Sequence, residues 1–281
     1  MKTEVCVVDS EESDEGQRFI AAVEKVTMAE EGDLELVAVD CEGVNLSRIG
    51  SVELVSICFK SVKAMDVFLI DLGGKPDPGI LKAVKALMET IMVVKIIHDC
   101  CMDCDALFHL HDIEMKNVHD TSCFHAVITG NQDKSLNDVL MHNGITINTA
   151  RDKSVYKRNP AFWATRPLTK HMIEWASSDV EKLFDLEVNQ LERLEERQSQ
   201  IGVALAKSES NSTLARDMRV KTGLTVNRPG LFIGRGGSNL RSLQERTGTL
   251  VHQQRGRDPC TWFVYYDDDK DLATVKRVMY N

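Results

Sequence analysis

The chain has 281 residues, a formal net charge of −9, and the apolar (43%) and charged (27%) fractions of a folded globular protein. That is enough length for one large domain or two unequal ones. Its eight cysteines fall in apolar or strand-like runs without a disulfide-framework rhythm, and no leader-type stretch or bilayer-length apolar run occurs. Secreted disulfide scaffolds and membrane spans are thereby excluded, and the expectation is an intracellular protein, cytoplasmic or nuclear, with free thiols.

Residues 4–8 read as a short strand, after which Ser10 caps a helix carrying Glu11 and Glu12 in its first turn. A buried strand over 34–39 leads into Asp40 and Glu42. Strands over 53–59 and 65–71 follow as an antiparallel meander that ends at Gly73 and Gly74. The spacing of Ile80, Leu81, Val84 and Leu87 predicts a helix over 78–90. A buried strand at 93–97, a helix from Asp103 to Leu110 and a last strand at 116–119 come next, and the chain then reads as helical to about Lys207. Strands first, then alternating α and β, then helices predict an α/β fold: a mixed sheet with helices on both faces. The small polar residues 208–213 read as a linker. They divide a domain at 1–207 from a second, smaller α+β domain at 214–281.

Asp40 and Glu42 are two residues apart at a strand end, so the strand's period of two points both to one face. Buried side by side they repel, and a divalent cation relieves that; oxygen-only ligands favour Mg²⁺ or Mn²⁺ over zinc. Further acids follow the 93–97 strand in His98-Asp-Cys-Cys-Met-Asp103-Cys-Asp105. Much later, Trp175 and Asp179 share a helix face at i, i+4. Three separated segments thus bring four carboxylates toward one sheet edge.

These stretches, with Val118-His-Asp120-Thr121 and Phe162-Trp163-Ala-Thr-Arg166-Pro167-Leu168-Thr169, resemble the DEDD superfamily of 3′–5′ exonucleases over roughly residues 3–195. The resemblance is to the RNase D type, including the Egalitarian-like domains, and implies an RNase H-like fold. Its ordered motifs fall on Asp40, Glu42, Asp103 (five after His98, not Asp99 or Asp105) and Asp179. The implied chemistry is phosphodiester hydrolysis with two Mg²⁺ or Mn²⁺ ions. Asp40 would bridge the ions, Glu42 and Asp179 would complete the nucleophile-side ion, and Asp103 would support the other. Where this branch has Tyr, the chain has Trp175, whose indole is donor only. Such a group can hold a water but cannot help deprotonate it. The sister branch's His falls on Glu174, so the other branch does not restore the site.

Several other residues invite a role. Cys101, Cys104, His119 and Cys123 have zinc-like spacing but straddle different elements, and buried thiols are the better reading. Asp120 reads as a helix cap, and Asp99 and Asp105 as acids facing solvent or standing behind the ligands. Arg166 is taken to pair with a helix acid in preference to a substrate phosphate, and Phe162 and Trp163 as core.

Basic residues cluster between Leu214 and Arg257, opposed there only by Asp217 and Glu245. The predicted order β-α-α-β-β-α, with Ile233-Gly234-Arg235-Gly236-Gly237 between its first helices, resembles a eukaryotic-type KH domain. A GxxG turn lets backbone approach phosphates, and KH domains clamp roughly four nucleotides of single strand. Ile233, Gly234, Arg235, Gly236 and Gly237 are accordingly the expected nucleic-acid contacts. The combined reading is a metal-dependent 3′–5′ exonuclease preferring single-stranded RNA, DNA being the lesser candidate, with a second copy or RNA-processing proteins as partners. The alternatives are an RNA-binding adaptor that lost catalysis at Trp175, and a DNA-repair exonuclease.

Overall fold

The computed structural model describes residues 2–28, 35–131, 134–195, 205, 207, 220–226, 232–233, 238–253, 261–266 and 268–280. The chain divides into two compact units, Met1–Lys153 with Pro160–Ser212, and Ser154–Asn159 with Thr213–Asn281.

The first unit is built on a six-stranded mixed sheet of order β1-β4-β3-β2-β5-β6. Its strands are β1 (Lys2–Val8), β2 (Glu35–Glu42), β3 (Leu54–Lys60), β4 (Ala64–Asp71), β5 (Val93–Ile97) and β6 (Val118–Asp120). The expected meander β2-β3-β4 is antiparallel, while β1 joins β4 in parallel and β5 and β6 continue from β2 in parallel. Period two sorts the side chains. Val37, Val39, Cys41, Val55, Ile57, Phe68 and Ile70 turn to the face where α1 (Asp14–Thr27), α2 (Pro78–Glu89) and α3 (Cys101–His111) pack the core. The alternate residues face α7 (Lys170–Glu181), which lies across β2, β3 and β4.

The first helix begins one turn later than Ser10. Ser13 is its cap, accepting from Gly16 N at 3.0 Å, and Asp14 and Glu15 occupy the first turn. Ser10 instead makes the preceding turn, taking the Ser13 hydroxyl on its carbonyl, and Gly16 lets that carbonyl pass where a Cβ would sit at 2.0 Å.

The region after residue 120 is not continuous helix. It holds α4 (Thr121–Thr129), α5 (Leu136–His142), α6 (Val155–Arg158), a 3₁₀ turn at Phe162–Ala164, α7 and α8 (Leu183–Glu195), with irregular backbone over 143–154. Among the described residues no helix is long and apolar enough to cross a membrane, and seven cysteines are free thiols.

The second unit contains an antiparallel sheet β7-β9-β8, from β7 (Val220–Thr225), β8 (Leu250–Gln253) and β9 (Thr261–Tyr266). With it come helices over Ser238–Thr247 (α9) and Asp269–Tyr280 (α10). Leu224, Val226, Leu243, Val251, Trp262, Val264, Leu272 and Val275 form its core, with Ile233 packed at the edge. Gly248, at φ +63°, ends α9 in the left-handed conformation that glycine adopts without penalty. Gly234, Arg235, Gly236 and Gly237 lie outside the described residues.

Candidate metal centre

β2 outruns its parallel neighbour. Its pairing with β5 stops at Ala38 and Ile96, whereas pairing with β3 continues through Asp40 opposite Ser56 and Glu42 opposite Leu54. The last turn of β2 therefore has a strand on one side and an open edge on the other. Asp40 and Glu42 project from it toward α7. There they meet Asp179, and one ligand oxygen from each of the three lies within 4.8 Å of the others.

These carboxylates are desolvated and crowded. Burial drives the Asp40 carboxyl well above its ordinary range, and the charges of Asp179 and Asp103 add to the effect. Glu42, 9% exposed, is raised by burial and then by Asp40 and Asp179. Among the described residues neither carboxylate accepts a hydrogen bond. Ser56, the cross-strand neighbour of Asp40, is fully buried, and its hydroxyl has no partner among the described residues. Close-set oxygens without protein donors are what a divalent cation requires, and this donor set is all oxygen, as Mg²⁺ and Mn²⁺ prefer. Cys101, Cys104, His119 and Cys123 form no such group among the described residues. His119 stacks on Phe124 and bonds Gln190 instead.

Asp179 differs from the strand acids. Its Oδ1 accepts from Asn148 Nδ2 at 2.9 Å and its Oδ2 from Trp175 Nε1 at 3.0 Å, and Arg151 Nη1 forms an ion pair with Oδ2, also at 3.0 Å. Burial still raises its pKa, with Arg151, Asn148 and Trp175 pulling the other way. Sequence reasoning missed Asn148 and Arg151 because they sit in the irregular stretch that read as helix. No spacing rule marks them. Asn148 is fastened to α5 through Asn137, which donates to its carbonyl at 3.0 Å and accepts its N–H at 2.9 Å.

Trp175 is 1% exposed and packs edge-on against Trp163, with ring centroids 5.5 Å apart. The i, i+4 relation aims its N–H at Asp179, so the donor expected to hold a water is engaged by a carboxylate.

Asp103 stands apart from the three-acid group. It opens α3, where its Oδ1 accepts the Cys41 amide at 3.0 Å on the side of β2 that β5 no longer covers. Burial, followed by the Asp99 charge, raises it to about 7 despite that bond. Its place is set by Asp120, which caps α4 and also accepts the amides of Asp99 (2.9 Å) and Cys100 (3.2 Å). Asp99 takes φ 61° in this tight turn. Burial alone would raise Asp120, but His98 and the amides of Asp99 and Ser122 outweigh it and hold it low.

Three side chains lie elsewhere than expected. Asp105 faces neither solvent nor the acid group: it is fully buried and binds Arg48 through both its backbone N and its Nε, each at 2.7 Å. Arg166 pairs with no helix acid but forms a fork with Asp71 at the end of β4, both contacts at 2.6 Å, and also reaches the Glu53 carbonyl. The residue that precedes β3 and the end of β4 are thus tied to the turn after Trp163. Phe162 is only half-buried, while Trp163 is core as expected.

Residues 9–195 match the family described as 3′–5′ exonuclease. No curated protein matches the chain. Among solved structures, Escherichia coli RNase D, an exoribonuclease involved in structured RNA processing, aligns with TM-score 0.60 and 17% identity over 77% of this chain and 52% of that one. The present chain thus spans about half the length of that relative. Brucella melitensis NrnC aligns with TM-score 0.54 and 20% identity over 76% of this chain and 91% of its own. Trypanosoma brucei RNase D in complex with RNA U12 aligns with TM-score 0.54 and 25% identity over 67% and 62%. The sheet order, the acids at the end of β2 and on α7, and the family match over most of the first unit agree, and the chain belongs to the DEDD-type 3′–5′ exonucleases.

Proposed function

We propose that the chain is a metal-dependent 3′–5′ exonuclease hydrolysing phosphodiester bonds of single-stranded nucleic acid, RNA in preference to DNA. The observation that carries this is the approach of Asp40, Glu42 and Asp179 within 4.8 Å, two of them without donors among the described residues. Asp40 and Glu42 would hold a divalent ion with one oxygen of Asp179, and Asp103 would support a second. A bound divalent ion lowers the pKa of a water and stabilises charge on phosphoryl oxygens. The chain's own part is to fix the acids. The β2–β3 pairing sets Asp40 and Glu42, Asn148 and Trp175 orient Asp179, and the Asp120 turn places Asp103. NrnC has been seen with bound Mg²⁺ and T. brucei RNase D with RNA U12, which supports the reading for this chain.

The finer reading has the exonuclease domain at 1–207, of the Egalitarian-like type, a linker at 208–213, and a KH domain at 214–281 that feeds RNA to it. The three antiparallel strands and the order of α9 and α10 around them support it. Ile233, Gly234, Arg235, Gly236 and Gly237 would grip the strand.

A second reading, an RNA-binding adaptor with a silent nuclease fold, is favoured by the engaged indole of Trp175. General acid–base help is worth about 10²–10⁴-fold, so a site without the phenol is slow on this account. Degradation of 5′-labelled single-stranded RNA and DNA in Mn²⁺ by wild type, Asp40→Ala and Trp175→Tyr separates the two. Laddering of RNA by wild type that Asp40→Ala abolishes supports the exonuclease. Laddering only after Trp175→Tyr supports the adaptor.

A further inference from the structure

A carboxylate offers about four lone-pair positions. On Asp179, Asn148 takes one on Oδ1 and Trp175 one on Oδ2, and the Arg151 guanidinium stands in ion-pair contact with Oδ2 at 3.0 Å. The Arg151 side chain is 18% exposed and its guanidinium lies 3.0 Å from the fully buried acid, so it is a permanent charge inside the cluster and little screened by solvent. Three ionised carboxylates beside one guanidinium leave a double negative charge, which a single divalent ion neutralises. Asp103, the acid that could enlarge the set, is fastened to the Cys41 amide and stands outside the group.

Resting on the exonuclease reading, we propose that Arg151 is a resident cation of this site. It stands in for part of the divalent charge, restricts Asp179 to one oxygen, and limits the site to a single strongly held ion on the Asp40 and Glu42 side. The ion that Asp103 would support, outside this group, is then the more weakly held of the two. Arg151 therefore sets metal stoichiometry and affinity without being a metal ligand or touching the scissile bond.

The charge predicts the sign of the effect. Removing a unit positive charge a few ångströms from a divalent ion strengthens its binding by about tenfold or more in a buried site. The test is Mn²⁺ binding to the full chain, read as the free Mn²⁺ signal in electron paramagnetic resonance, with each variant's melting temperature as the folding control. Wild type should bind one Mn²⁺ tightly. Arg151→Gln should bind it about tenfold tighter or take up a second ion, and Arg151→Lys should stay near wild type. Arg151→Met keeps the buried stem, drops the charge and should match Arg151→Gln, so it serves if the glutamine variant fails to fold. Adding Asp40→Ala should abolish binding in either background. Folded charge-removing variants that bind Mn²⁺ no better than wild type, or Arg151→Lys behaving like them, would overturn the inference and leave the exonuclease reading intact. No Mn²⁺ bound by wild type or by any Arg151 variant would overturn both.

Discussion

Asp105 and Asp120 are as deeply buried as Asp179 and more so than Glu42, yet they live in different electrostatic surroundings from the acids of β2. Asp105 receives two donors from Arg48, and Asp120 receives the amides of Asp99, Cys100 and Ser122. Asp40 and Glu42 receive none from the described residues. A buried charge without partners costs several kcal/mol, roughly, so a fold tolerates it where something outside the chain supplies the missing charge. Asp179 is intermediate, supported by protein donors on one side and open toward the strand acids on the other. The difference separates carboxylates that hold the fold together from those held apart for a cation.

The largest effect that would sharpen this contrast is at Asp105. Asp105→Ala removes the fully buried acceptor of the Arg48 backbone N and Nε, beside a side chain only 7% exposed, and should cost about 3–5 kcal/mol in urea unfolding whether or not Mn²⁺ is present. Asp120→Ala leaves the Asp99 and Cys100 amides without their acceptor and should cost about 1–3 kcal/mol. Because those amides set the turn into α3, it should also weaken activity through Asp103.

Asp103 gives the comparison a pH signature. Its ordinary value is 3.8 and burial lifts it to about 7 in the fold. Between about pH 4 and 7 the folded chain keeps a proton that the unfolded chain has released. Metal-free stability should therefore be fullest at the acidic end and decline as pH rises through this window, by roughly 1 kcal/mol or more. Asp103→Asn should remove its own share of the decline and leave that of Asp40, Glu42 and Asp179, as followed by urea midpoints in EDTA. A smaller effect is expected at Trp175: Trp175→Phe removes the indole donor to Asp179 while keeping aromatic packing, and should cost about 1 kcal/mol.

Much of this was legible beforehand, and what was not has a physical reason. The strands of the sheet carry strong apolar periodicity, so β2 to β5 and their relation to Asp40 and Glu42 could be read from spacing alone. The start of the first helix was missed because Ser10 and Ser13 have the same capping chemistry, and the Gly16 close approach that decides between them is a contact across a turn. Asp99, Asp103 and Asp105 look alike in sequence. Only the fold shows that one strains into a turn, one meets the β2 amide and one pairs with Arg48 fifty-seven residues away. Asn148 and Arg151 had no local signature, since their partner lies on a helix that follows them by some thirty residues.

The central claim is that Asp40 and Glu42 are destabilising alone and stabilising around a divalent ion. Thermal melts of wild type and Asp40→Asn, each in EDTA and in Mn²⁺, test it most directly. The account predicts a crossing: Asp40→Asn melts higher than wild type in EDTA, and wild type gains stability in Mn²⁺ while the variant does not. A variant that melts lower than wild type in EDTA, with wild type indifferent to Mn²⁺, would contradict it.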